Sequence, residues 1–109
     1  VPALASNRTI TLPAPVAGAT FKFIYAGAAE EAENLIIVTP GNANFFLGNV
    51  QHLDTNADNV GVYANGSSNS KLTLTDFGSM EINIVAKDST NYYIWGNVVS
   101  EDAPAFADQ

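Results

Sequence analysis

Turn-forming residues cut this chain into short apolar runs of strand length. Asn, Gly, Ser and Thr punctuate stretches of Val, Ile, Leu, Phe and Tyr at a spacing of about 8–12 residues. Such residues visit φ > 0 or bond their own backbone, so each cluster marks a place where the chain can reverse. The one run of helix formers, Ala28 to Glu33, covers little more than a turn and is marginal as a helix in water. It reads as either a short helical turn or an acidic loop.

Between the breaks the side chains alternate. Arg8 to Leu12 puts Ile10 and Leu12 on one face, and Pro13 and Pro15 end it. Thr20 to Tyr25 puts Phe21, Phe23 and Tyr25 on one side and Lys22 and Ile24 on the other. Leu35-Ile36-Ile37-Val38 is continuously apolar and reads as a buried strand, closed by Pro40-Gly41. Asn44 to Leu47 and Val50 to Leu53 read as two strands of a hairpin turning at Gly48-Asn49. Val60 to Ala64 follows, then Asn65-Gly66, the strongest local turn signal in the chain. Leu72 and Leu74 alternate with Lys71, Thr73 and Thr75, Met80, Ile82, Ile84 and Ala86 alternate with Glu81, Asn83, Val85 and Lys87, and Asn91 to Val99 forms the last strand. About eight or nine short strands in one chain predict an all-β fold. The first choice is an antiparallel β-sandwich, jelly-roll-like, and a small barrel is the second.

At 109 residues the chain is one domain, 1–109. An extended N-terminal arm covers about residues 1–9, and an acidic tail about residues 100–109, in which Phe106 is the one large apolar group and a docking point. With no Cys there is neither a disulfide framework nor a thiolate metal site. Four basic residues face eleven acidic ones, a net charge of -7. Phosphate contacts need clustered Lys and Arg, so no nucleic-acid partner and no anionic membrane partner is expected. A basic partner surface suits the charge, and so does simple solubility. No apolar run of about 18 residues is present. Val1-Pro2 shows neither the basic nor the apolar region of a signal peptide.

No motif calls for catalysis. His52 is the single histidine and reads as an ordinary strand-end residue, since no Ser lies in a nucleophile elbow. Asp54-Thr55-Asn56-Ala57-Asp58-Asn59 places oxygen ligands at alternating positions, like the first half of a calcium loop. The Gly and the bidentate Glu of the second half are missing, so a turn held by Asx bonds is the reading, and no metal or cofactor is expected. Glu30, Glu31 and Glu33 form an acidic cluster that reads as solvated loop or as a contact for a basic surface. In the last strand Tyr93 and Trp95 share a face, with Tyr92 and Ile94 on the other. One such face is core or a subunit interface. The aromatic trio Tyr92, Tyr93 and Trp95 is also a candidate platform for stacking sugars.

Two segments carry a resemblance. Leu12-Pro13-Ala14-Pro15-Val16-Ala17-Gly18 leads into Phe21 to Tyr25, and Asp88-Ser89-Thr90-Asn91 leads into Tyr92 to Val98. Together they cover about a third of the chain, and they resemble small tailed-phage capsid decoration, or cement, proteins. The resemblance implies a β-sandwich without cofactor on the outer surface of the phage head. Its partners would be the major capsid protein and itself, as a homotrimer that clamps neighbouring capsid subunits. On that reading Leu4, Arg8, Pro13, Glu30, Glu31, Glu33, Tyr93, Trp95 and Phe106 are the candidate capsid or subunit contacts. Deleting residues 1–9 should then leave the domain folded and abolish capsid retention. The rival reading is a carbohydrate- or receptor-binding module of a phage fibre or spike.

Overall fold

A computed structural model describes residues 1–56 and 59–109. Among them the chain forms nine strands and no helix: β1 (Arg8–Thr11), β2 (Thr20–Ile24), β3 (Leu35–Val38), β4 (Phe46–Asp54), β5 (Val60–Asn65), β6 (Lys71–Leu74), β7 (Phe77–Ala86), β8 (Tyr92–Ser100) and β9 (Ala105–Ala107). They make a four-stranded sheet in the order β1-β3-β6-β9 and a five-stranded sheet in the order β2-β7-β8-β4-β5. The two sheets pack face to face as a sandwich. Ile37, Leu72 and Leu74 of one meet Phe46, Val50, Ile82, Ile84, Ile94 and Val98 of the other in a single buried cluster.

Alternation explains most of this. In β7 the even positions Met80, Ile82, Ile84 and Ala86 are buried while Glu81, Asn83 and Val85 lie outside. In β8 the buried positions are Tyr92, Ile94, Val98 and Ser100. The continuous apolar run of β3 sits between β1 and β6, where both neighbours cover its edges.

The fold corrects some of these local readings and narrows others. Gly48-Asn49 is not a hairpin turn, because β4 runs unbroken through it for nine residues. Gly48 instead takes a φ of +133°, and a Cβ there would stand 2.1 Å from the Ile94 carbonyl oxygen. A turn signal in the sequence was in fact a close backbone approach inside a sheet. Asn65-Gly66 does turn the chain, with Gly66 at φ +78°, but it carries the chain from one sheet to the other rather than joining paired strands. Ala28 to Glu33 is a loop. Each sheet also contains one parallel pair, β1 with β3 and β4 with β8, in an otherwise antiparallel sandwich.

The two chain ends are tied down. The Val1 ammonium donates to the Ile24 carbonyl at 2.6 Å, and the Ala26 amide donates to the Val1 carbonyl at 2.7 Å. Val1 and Leu4 pack against the core cluster. Arg8 and Thr9 pair with Leu35 and Ile36. Deleting residues 1–9 would therefore remove half of β1 as well as the arm, so it is not the neutral truncation expected of a free arm. At the other end the Gln109 amide donates to Ser70 Oγ at 2.9 Å, and its side chain donates to the Thr39 carbonyl at 3.0 Å. Phe106 docks as expected, with its ring 6.2 Å from that of Phe46.

Candidate functional site

The two segments that carry the resemblance meet in space. The Gly18 amide donates to the Ala86 carbonyl at 2.9 Å, and the Ala86 amide returns a bond to Ala19 at 2.8 Å. The Tyr92 hydroxyl donates to the Pro13 carbonyl. Proline fixes the approach, Gly18 supplies a φ of +85°, and the buried tyrosine locks the corner. These segments build one end of the sandwich, and their residue types follow from that.

The outer face of the five-stranded sheet is different in character. Register places Lys22, Asn83, Trp95, Asn49 and Tyr63 in one row across all five strands. The row on one side holds Thr20, Val85, Tyr93, Leu47 and Asn65, and that on the other Ile24, Glu81, Asn97, Gln51 and Gly61. Tyr63 is 77% exposed, Trp95 49% and Tyr93 42%. A shallow hollow beside Trp95 is lined by Thr20, Phe21, Lys22, Asn83 and Ile84. The face is close to neutral. Lys22 pairs with Glu81 at 3.0 Å, and Lys22, then Asn83, hold the Glu81 carboxyl below its ordinary range. The Lys87 ammonium lies 5.7 Å from the centre of the Tyr93 ring.

Tyr92 belongs elsewhere: it is fully buried in the core, so the stacking trio of the sequence reduces to Tyr93 and Trp95. The third exposed aromatic is Tyr63, from β5. Alternation with the half-buried Val62 is its only local signal, and nothing local shows that β5 lies two strands from β8.

A second region gathers the arm and the acidic loop. The Leu4 amide donates to Glu31 Oε2 at 2.7 Å, and the Ala32 amide donates to Oε1 at 3.2 Å. The Tyr25 hydroxyl donates to the Ala29 carbonyl at 2.9 Å and lies 3.2 Å from Glu31 Oε2. The Asn34 amide donates to Asn7 Oδ1, and the Arg8 amide to the Asn34 carbonyl, both at 2.9 Å. Leu4, Arg8, Glu30, Glu31 and Glu33 thus lie at one end of the β1 edge. Pro13 is past the other end of the same strand, and Phe106 is on the opposite edge of that sheet. Glu31 is buried, unlike the solvated residue its acidic surroundings imply, while Glu30 is exposed and Glu33 half-buried.

The Leu4 amide is the largest influence on the Glu31 carboxyl and holds it below its ordinary value of 4.5, against the opposing effect of burial. Burial first, and then Glu31, pushes the Tyr25 hydroxyl up. A carboxyl with a lowered folded pKa contributes stability that is present above its unfolded value and lost as pH falls through the folded one. Protection of the Leu4 amide, its exchange rate relative to the intrinsic rate at the same pH, should therefore be lost on acidification below 4.5, while Ile84 in β7 stays protected. Unchanged Leu4 protection would show that Glu31 does not hold the arm.

His52 is buried with Nε2 3.1 Å from the Ser100 carbonyl, a structural bond inside the sandwich. Asp54 Oδ1 accepts from the Asn56 amide at 2.7 Å, the Asx bond expected of that loop. Ala57 and Asp58, two further residues of the calcium-like pattern, lie outside the described residues. Among the described residues no group of three or more His, Asp or Glu side chains is placed to hold a metal ion.

Fold and surface define a nine-stranded β-sandwich with one aromatic sheet face and an arm folded back on an acidic loop. Comparison with protein-family models, with curated proteins and with solved structures finds no match.

Proposed function

We propose that this chain is a non-enzymatic structural protein of a virion, a decoration protein seated on the outside of a tailed-phage head as a homotrimer. The arm and the acidic loop make the contact with the major capsid protein or with a sister subunit. The observation that carries the reading is the gathering of Leu4, Arg8, Glu30 and Glu33 into one patch at the β1 edge, although they come from two segments more than twenty residues apart. The resemblance of the two end segments supports the virion assignment. An acidic patch suits a basic capsid surface, and several weak contacts made at once by a trimer gain through effective concentration.

Retention on phage heads tests this. Wild-type protein should co-sediment with heads stripped of decoration, and added salt should weaken the association. The double variant Glu30→Lys/Glu33→Lys should lose about tenfold in affinity, since surface charges act on encounter and specificity. Failure of the wild type to co-sediment, or equal retention of the variant, would overturn the proposal. The rival reading, a carbohydrate- or receptor-binding module of a fibre or spike, needs an exposed aromatic strand, and Tyr93 and Trp95 meet that need.

A further inference from the structure

We propose that the outer face of the five-stranded sheet is a binding site for an uncharged glycan chain, centred on Trp95. It lies on a different surface from the arm patch and stands whether or not the chain decorates a capsid.

The central row of that face contains no aliphatic side chain. It runs Lys22, Asn83, Trp95, Asn49, Tyr63, perpendicular to the strands, with the aliphatic residues Val85, Leu47 and Ile24 confined to the flanking rows. Four inter-strand steps make the row about 19 Å long, room for several sugar rings. Trp95 and Tyr63 stand two strands apart, about 10 Å, and Tyr93 is about 7 Å from Trp95 along β8. A pyranose ring has an apolar C–H face and a rim of hydroxyls. The half-exposed indole of Trp95 offers a flat apolar surface to the first. The amides of Asn83 and Asn49, paired with Trp95 from the strands on either side, each offer a donor and an acceptor to a pair of neighbouring hydroxyls. The hollow lined by Trp95, Asn83, Lys22 and Thr20 gives one ring a seat.

Charge selects the ligand class. In a chain of net charge -7, the two charges within the three rows, Lys22 and Glu81, are paired with each other. Lys87, over the Tyr93 ring, adds one ammonium at the margin, and a single ammonium is not the basic cluster an anionic polysaccharide needs. Tyr63, Tyr93 and Trp95 are the large exposed aromatics among the described residues, and all three stand on this face. A second protein covering it would bury the amides of the central row and leave them in need of matched partners, whereas a polyol brings them along its whole length.

Trp95 is the only tryptophan, so tryptophan emission, excited selectively over that of the four tyrosines, reports on this face alone. The experiment is a titration of wild-type protein with maltohexaose, cellohexaose, laminarihexaose, chitohexaose and mannohexaose, and with a heparin hexasaccharide. At least one neutral chain should shift or quench the emission with a Kd of about 1 mM or tighter, and heparin should not. Calorimetry on Trp95→Ala should show binding weakened at least about tenfold, on Asn83→Ala and Asn49→Ala about fivefold, and on Trp95→Tyr largely restored. All three side chains lie on the outer face, and melting curves check that the four variants fold. No response to any neutral chain at about 10 mM, a response to heparin alone, or binding that survives Trp95→Ala would overturn the proposal. An emission shift that follows protein concentration alone would assign the face to a second copy of the chain and overturn it equally.

Discussion

Replacing Gly96 by Ala is expected to lower the stability of the domain by at least about 3 kcal/mol, a large part of the roughly 5–15 kcal/mol that holds a domain of this size. Gly96 has a φ of +150°, and a Cβ built there would stand 1.9 Å from the Glu81 carbonyl oxygen. That oxygen belongs to β7, the immediate neighbour of β8. Relief by moving is blocked, because β8 is the central strand of five and is paired on its other side by β4. The substitution adds a backbone penalty of about 1–3 kcal/mol to the clash. By the same reasoning the melting temperature should fall by more than about 10 °C. Gly41→Ala is the control, since a Cβ there meets nothing within 4 Å. It should change stability by no more than about 0.5 kcal/mol. Equal melting of the two variants would mean that β8 does not run as described.

Tyr92→Ala should cost about 3–5 kcal/mol, as removal of other large core aromatics does. The side chain is fully buried, and its ring lies 6.0 Å from Phe46. It also ties two distant segments through its bond to the Pro13 carbonyl. Tyr92→Phe separates the two roles: it keeps the packing and loses only the hydrogen bond, for about 1 kcal/mol. Burial pushes the Tyr92 hydroxyl above its ordinary value of 10.0. An acid whose folded pKa is raised favours the folded state less and less as pH climbs past its unfolded value. The wild type should therefore lose stability above 10.0, and Tyr92→Phe should lose less of it. Denaturant melts of the three proteins at neutral and alkaline pH check both statements. A Phe variant as unstable as the Ala variant would mean that the hydroxyl, not the ring, dominates.

The strands that alternate cleanly were legible in advance. Phe21 and Phe23 in β2, the even positions of β7 and the run of β3 carry their burial in their spacing. Features set by non-local geometry were not. Gly48 looks like a turn because local sequence cannot show the Ile94 carbonyl lying against it. The parallel pairs β1–β3 and β4–β8 join strands far apart in the chain, and turn chemistry says nothing about them. Glu31 is indistinguishable from Glu30 in a run of acidic and small residues. The Leu4 amide, 27 positions away, joins the Tyr25 hydroxyl and the Ala32 amide in making it a buried fastening point. In β8 the alternation separated Tyr92 from Tyr93 and Trp95, but not which face was core. The opposing sheet decided that, and it left the tryptophan outside.

The central claim is that the domain works as one of three on the outside of a capsid, and its mass in solution tests this most directly. Light scattering behind a sizing column should give a single species at three times the chain mass of 11.5 kDa, unchanged on dilution. A species of 11.5 kDa at every concentration would contradict the claim.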